Sequence, residues 1–140
     1  QAVVLEERGV FYADDYPTPL PRPDEVAVRV LRAGVCETDL QLIRGYMGSG
    51  AEFVGLAESG RYAGQRVAGE INCPCRRCDL CLRGLGNHCP QRTVVGILNH
   101  DGVFAEQVCL PEQNLHPIPP SVTDDEAVFV EPLAAAFQIV

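Results

Sequence analysis

Residues 71–89 read INCPCRRCDLCLRGLGNHC, five cysteines and one histidine within nineteen positions. Cys75, Cys78 and Cys81 stand three apart, and Cys89 follows after seven intervening residues. Zinc favours four soft ligands in a tetrahedron, and two-residue gaps let successive thiolates turn back onto one ion. Gly84 and Gly86 supply the flexible turns that return Cys89 to the group. Cys73 is separated from Cys75 by Pro74 alone, too close for easy joint chelation, and His88 would compete with its neighbour Cys89. The spacing therefore assigns the ion to Cys75, Cys78, Cys81 and Cys89. Disulfides are the competing use of such cysteines, but thiols this tightly spaced pair poorly, and in a chain of intracellular character they more often mean metal. A four-thiolate site is coordinatively closed, with no position for water or substrate. Its role is structural.

The remaining composition narrows the class. At 140 residues the chain is long enough for one domain with a real core and too short for two ordinary ones. An apolar content of 46%, with 13 glycines and 11 prolines, describes a turn-rich globular protein. The formal charge of −8 repels phosphate backbones, and four thiolates on a zinc ion would make it more negative. A nucleic-acid zinc ribbon is thus a poor reading, and no nucleic-acid partner is expected. No apolar run reaches the length of a membrane span, and the N-terminus lacks a basic-then-apolar leader, so no membrane partner is expected. Seven cysteines, an odd number, fit a reducing compartment, and the cytoplasm is the expected location.

Along the chain, AVVLEE and VFYADD read as two short strands turning at Arg8-Gly9. PTPLPRP, residues 17–23, cannot supply ladder hydrogen bonds and is a loop. In EVAVRVLRAGV, Val26, Val28 and Val30 alternate with Ala27 and Arg29, the period of a half-buried strand. TDLQLIRG predicts one or two helical turns ended by Gly45. Strands are expected at EFVGLAES and GQRVAGEI, and again at TVVGIL and VFAEQVCLP beyond the cysteine lobe. Thr123 and Glu126 form a capping box, so a helix starts near Asp124; Pro132 is expected to interrupt it before LAAAFQIV opens another. Many short strands with few helices indicate a mainly β, barrel-like domain carrying an irregular zinc lobe.

Taken in order, these segments resemble the N-terminal catalytic domain of the zinc-dependent medium-chain alcohol dehydrogenases. CRRCDLCLRGLGNHC resembles that family's structural zinc loop, including Gly84 and Asn87 ahead of the last ligand. GVCETD, residues 34–39, is similar to the segment with the first catalytic zinc ligand, and GQRV at 64–67 to the usual Gly-Asp-Arg-Val, with Gln65 departing from it. DGVFAEQV and VEPLA fill two further positions in order. The resemblance implies a GroES-like, partly closed β-barrel over residues 1–140, with short helices and a structural-zinc lobe at about 71–92. It further implies a catalytic zinc on Cys36, with Glu131 matching the Glu of the family's Glu-Pro stretch. Thr38 matches the hydroxyl that passes the substrate proton, and Asp39 the carboxylate that orients the ligand histidine. An open zinc site of this kind acidifies a bound alcohol so that hydride can leave its carbon. Cys36 could equally be a small buried apolar residue, and Thr38 and Asp39 could cap a helix, with or without the catalytic role.

The resemblance breaks in GYMGSGAEFVG, residues 45–55. Gly50-Ala51-Glu52 aligns with the family's Gly-His-Glu, so Ala51 stands where the ligand histidine is expected, beside Glu52. The segment before it is shorter than in relatives, and Gly48-Ser49-Gly50 reads as a flexible linker; natural divergence is one explanation, but deliberate deletion and substitution explain linker and alanine together. Cys36, Glu52 and Glu131 then form a vestigial ligand set. Gly-x-Gly occurs at 48–50 and 84–86, yet neither follows a strand and opens a helix, so no dinucleotide fingerprint is present. The expected cofactors are one structural zinc, with NAD or NADP and a small alcohol or polyol belonging to a full-length parent whose Rossmann domain is absent from these residues. Two readings follow: a catalytic-domain fragment of an NAD(P) alcohol or polyol dehydrogenase, inactive alone, or an engineered, non-catalytic zinc-stabilised scaffold or binding module. Leu133, Ala134, Phe137, Ile139 and Val140 leave an apolar helix face, so self-association through residues 133–140 is expected.

Overall fold

The computed structural model of the chain describes residues 1–6, 9–45 and 52–137. Ala51, the Gly48-Ser49-Gly50 stretch and the last three residues lie outside the described residues. Strands β1 (Ala2–Glu6) and β2 (Gly9–Ala13) form an antiparallel hairpin. The body is a five-stranded antiparallel sheet of β3 (Glu25–Ala33), β4 (Phe53–Ala57), β5 (Arg66–Gly69), β8 (Gln107–Pro111) and β9 (Leu115–Pro117). Its order is β8-β3-β4-β5-β9. A third small sheet pairs β6 (Asn72–Cys73) with β7 (Thr93–Val94) at the base of the cysteine lobe.

The alternation in β3 works as expected. Val26 and Val28 are buried and pair with the equally buried Leu110 and Val108 of β8, while Arg29 faces solvent. In β4, Phe53, Val54, Gly55 and Ala57 are all buried, so this strand is covered on both faces. Gly69 is one of the tight points of the core: a Cβ there would stand 2.5 Å from the Phe53 ring, so only glycine lets that ring lie across β5. The edge strands β8 and β9 are joined by a single 3-10 turn, Glu112–Asn114. Two opposite edges separated by three residues must sit at one corner, so the sheet curls on itself. Its hydrogen bonding does not close, and the mainly β, GroES-like barrel is partial.

Helix α1 (Glu37–Ile43) follows β3, α2 (Asp79–Leu82) sits in the lobe, and α3 (Asp124–Ala127) and α4 (Val130–Phe137) end the described chain. Arg66 anchors α3 to β5 through a 2.7 Å contact with Asp124. No helix among the described residues is long and apolar enough to cross a membrane.

Three expectations need correction. TVVGIL is strand only at Thr93–Val94, because Gly96 adopts φ 73° and turns the chain so that Leu98 bonds back to Val94. Val103–Glu106 is not strand; it is irregular chain against which Ala2 makes one isolated bridge, at Ala105. Pro132 interrupts nothing: it lies in the first turn of α4, where its missing N–H has no partner to lose, and the break falls at Val128–Phe129.

The capping box at α3 is present, with the Thr123 N–H on Glu126 Oε2 at 2.9 Å and the Glu126 N–H on Thr123 Oγ1 at 3.3 Å. The backbone bond from Thr123, then its hydroxyl, hold the Glu126 carboxyl below its ordinary pKa. A depressed carboxyl contributes stability that is present at neutral pH and lost as pH falls through the folded-state value. Thr123→Ala should lower the melting temperature by about 2–4 °C at pH 7, and by less in acid, as measured by circular dichroism.

Candidate functional site

Among the described residues, the fold assembles two groups of side chains that could hold a metal ion. In the lobe, the ligand atoms of Cys75, Cys78, Cys81 and Cys89 all lie within 4.8 Å of one another. Cys75 Sγ is 3.9 Å from Cys81 Sγ, and Cys78 Sγ is 3.8 Å from Cys89 Sγ. Zinc–sulfur bonds of about 2.3 Å in a tetrahedron require sulfur–sulfur edges of about 3.8 Å, and these two edges match that length. Local sequence explains the convergence. Cys78 is the N-cap of α2, Gly84 with φ 78° turns the chain at its end, and a 3-10 turn at Gly86–His88 brings Cys89 back. Arg76, between the first two thiols, takes a left-handed φ of 56°, and its guanidinium donates to Asn114 Oδ1 at 2.9 Å. The Arg77 N–H is the first cause lowering the Cys75 thiol to about 6, whereas desolvation among its neighbours raises Cys81 to about 12. All seven cysteines are free thiols.

Cys73 and His88 stand apart from this group. Cys73 is buried on β6, its thiol pushed up to about 11 mainly by burial, and it receives a 3.5 Å contact from Asn114 Nδ2. His88 is exposed.

The second group is Cys36, Asp39 and Glu52, again within 4.8 Å of one another. The end of β3 pairs with the start of β4 at Ala33 and Phe53, and the Gly34 N–H bonds the Glu52 carbonyl at 2.8 Å. Residues just past one strand and just before the next are thereby brought together. Cys36 is the N-cap of α1, and Asp39 reaches back to accept its N–H at 2.8 Å. The helix-capping role of Asp39 is therefore real. Glu52 is buried, and its Oε2 has no hydrogen-bond partner. Glu131 is half-buried in the first turn of α4 and outside the three-residue group. Desolvation first, then the charge of Glu52, raise its carboxyl pKa. Thr38 stands half-buried in the first turn of α1.

A cavity of about 470 Å³ lies beside α1, between β1, the Pro17–Pro19 loop and residues 100–107, with Val35, Asp39, Leu42 and Ile43 on its wall. His100 also lines it. From ILNHDG, His100 could line a pocket or, the commoner case, stand exposed in a loop; the structure gives the first, with the side chain only 6% exposed. It is held by Nδ1 against the Asp101 carbonyl at 2.9 Å, with Nε2 4.0 Å from Glu25. Asn114, which no sequence signal marked, is fully buried between lobe and sheet.

Residues 22–120 match the alcohol dehydrogenase GroES-like domain family. The chain belongs to this family. The domain is 36% identical to an L-threonine 3-dehydrogenase of Rhizobium etli (strain CIAT 652), over 90% of this chain and 41% of the relative. A second L-threonine 3-dehydrogenase, from Stenotrophomonas maltophilia (strain K279a), is 32% identical over 97% of this chain and 45% of its own length. Among solved structures, an NAD-dependent alcohol dehydrogenase superposes with a TM-score of 0.81 at 32% identity, over 93% of this chain and 43% of that one. Galactitol-1-phosphate dehydrogenase from Escherichia coli gives 0.84 at 26% identity, over 97% and 43%. The GroES-like domain thus spans less than half the length of the curated relatives it matches.

If the four-thiol group holds the lobe together through a metal, Cys78→Ser should release it and lower the melting temperature by about 5 °C or more. Cys73→Ser should retain the metal and have the smaller effect. Differential scanning fluorimetry with elemental analysis of both variants checks the assignment.

Proposed function

We propose that these residues are the catalytic domain of a zinc-dependent NAD(P) alcohol or polyol dehydrogenase, carrying a structural zinc on Cys75, Cys78, Cys81 and Cys89. The observation that carries this reading is the pair of 3.8 and 3.9 Å sulfur–sulfur edges, on a chain that belongs to the GroES-like family. The cavity beside α1 has room for a small alcohol, and Asp39 is the member of the second donor group on its wall. It is largely apolar, and no arginine is among its described lining residues. A nicotinamide cofactor would accept the hydride, and its site lies outside the motifs of these 140 residues. In the dehydrogenase, Cys36 would hold the reactive metal, Thr38 would pass the alcohol proton, and Glu131 would flank the ion from α4. A bound zinc there supplies Lewis acidity toward the alcohol oxygen. An odd number of cysteines, seven, supports a reducing, cytoplasmic setting.

The second reading is a non-catalytic zinc scaffold or binding module, engineered by shortening. Ala51 and the Gly48-Ser49-Gly50 sequence favour it, because an alanine removes the imidazole that completes the reactive set. Both readings give the 140-residue chain the same behaviour, and both assign it one tightly held zinc. Elemental analysis after exhaustive dialysis should find about one zinc per chain, and no NAD- or NADP-linked oxidation of alcohols or polyols. Saturable turnover by the purified chain would refute the inactivity common to both. Ala51→His joined to the coding sequence beyond residue 140 separates them, since only the dehydrogenase reading expects that longer protein to oxidise an alcohol.

Phe129, just before α4, and Leu133 and Phe137 within it are 65%, 56% and 70% exposed. A fully buried side chain of this size contributes roughly 1.5–3 kcal/mol relative to one in water, so this face favours a partner surface. We infer concentration-dependent self-association of the 140-residue chain through this end, and Phe137→Ser should weaken it. Sedimentation equilibrium should report a lower average mass for the variant at matched concentration.

A further inference from the structure

We propose that His100 and Glu25 form a proton-operated latch, which holds the turn of residues 96–101 against the start of β3 and so sets one wall of the cavity beside α1. The inference does not depend on the dehydrogenase reading. Both side chains are more than nine-tenths buried, with His100 Nε2 4.0 Å from Glu25 Oε1. The Asp101 carbonyl oxygen, 2.9 Å from His100 Nδ1, can only accept, so Nδ1 carries a hydrogen. Nε2 is buried with no hydrogen-bond partner. In the neutral ring Nε2 is a bare lone pair, held away from water beside a carboxylate. Two acceptors facing each other in that condition are unfavourable. A proton on Nε2 turns the same contact into a cation beside an anion, with a donor for the Glu25 oxygen.

The surroundings favour that proton. Glu25 Oε2 accepts the Arg22 N–H at 3.0 Å, while the Arg22 guanidinium stands 3.8 Å from Oε1 and is largely exposed. Asp101 adds an acid on the turn itself. On β8, burial first, then the charges of Glu25, Asp101 and Glu58, push the Cys109 thiol up to about 11, so it is neutral. Cys73 is raised to about 11 in the same way, by burial and then by Glu25 and Glu70. Asp39 and Glu106 line the same cavity; the first accepts the Cys36 N–H, and the second pairs with the N-terminal ammonium at 2.6 Å. Acids thus outnumber cations around the imidazole.

The turn closes mainly on itself. Gly96 and Asn99 take left-handed φ of 73° and 51°, and the Gly96 N–H is shared between the carbonyls of His100 and Asp101 at 3.2 Å each. His100 reaches from it to β3. A proton bound more tightly in the closed turn than in an open one favours closure on the acid side of the pair's titration. That closure is lost as pH rises through it, and again in acid strong enough to protonate Glu25.

Long-range proton–nitrogen NMR of the purified chain reads the protonation of Nε2 directly. Hydrogen exchange of the Gly96 N–H, corrected for its intrinsic rate, reads the turn. At pH 6 Nε2 should carry a proton, and at pH 9 it should be bare, with Gly96 exchange about tenfold faster. In Glu25→Gln, Nε2 should already be bare at pH 6 and the pH dependence of exchange should vanish, because an amide can donate to the neutral ring. His100→Gln should lose the dependence as well. A histidine buried only for packing would be bare at both pH values. A bare Nε2 at pH 6 in the unmodified chain, pH-independent exchange there, or unchanged dependence in either variant overturns the latch. The unmodified chain alone decides the matter if a variant does not fold.

Discussion

The side-chain amide of Asn114 is the interaction on which the arrangement of lobe and sheet depends. Its Nδ2 donates to the carbonyls of Glu70 and Asn72 at 2.8 and 2.7 Å, and its Oδ1 receives the guanidinium of Arg76. Its own backbone carbonyl accepts the Glu70 N–H at 2.8 Å. One fully buried residue thus joins three places: the end of β5, the entry to the lobe and the corner between β8 and β9. Buried amides are stable only when satisfied, and here both ends of the amide are. Replacing it by an apolar residue would take the Asn114 donor from both carbonyls at once and leave the exposed Arg76 guanidinium to water.

That corner also explains how a chain with little regular structure places two donor groups. The lobe is irregular because four thiols dictate its path, and Arg76 accepts a left-handed backbone within it. Such a conformation is unfavourable for a residue with a Cβ, and the bond to Asn114 offsets part of that cost. The second group needs no lobe. It arises because β3 and β4 pair at their ends, so the donors flanking them meet. The two groups differ in how they are built, one by sequence spacing and one by sheet register.

This difference decides what could be read in advance. Spacing is local, so Cys75, Cys78, Cys81 and Cys89 were legible as a set before any fold was considered. The valine alternation of β3 and the Thr123–Glu126 box were legible for the same reason. The meeting of Cys36 with Glu52 is long-range; the family resemblance paired them, and residue chemistry alone did not. TVVGIL carries strand propensity throughout, yet one glycine at positive φ outweighs it. Pro132 looked like a break because its place within the helix was unknown; in a first turn proline is accommodated. His100 and Asn114 sit in polar stretches without periodicity, where nothing marks one side chain for burial.

An incompletely hydrogen-bonded sheet has two free edges, and each is a template on which a foreign strand could add. Here both edges are brought to one corner and kept poor in continuous donors. β8 ends on Pro111, and β9 is three residues long, ends on Pro117, and is followed by Pro119 and Pro120. Proline offers no N–H to an incoming strand. Curling the sheet therefore does more than enclose a core. It removes the surface from which ordered aggregation would begin, without the chain having to complete a barrel.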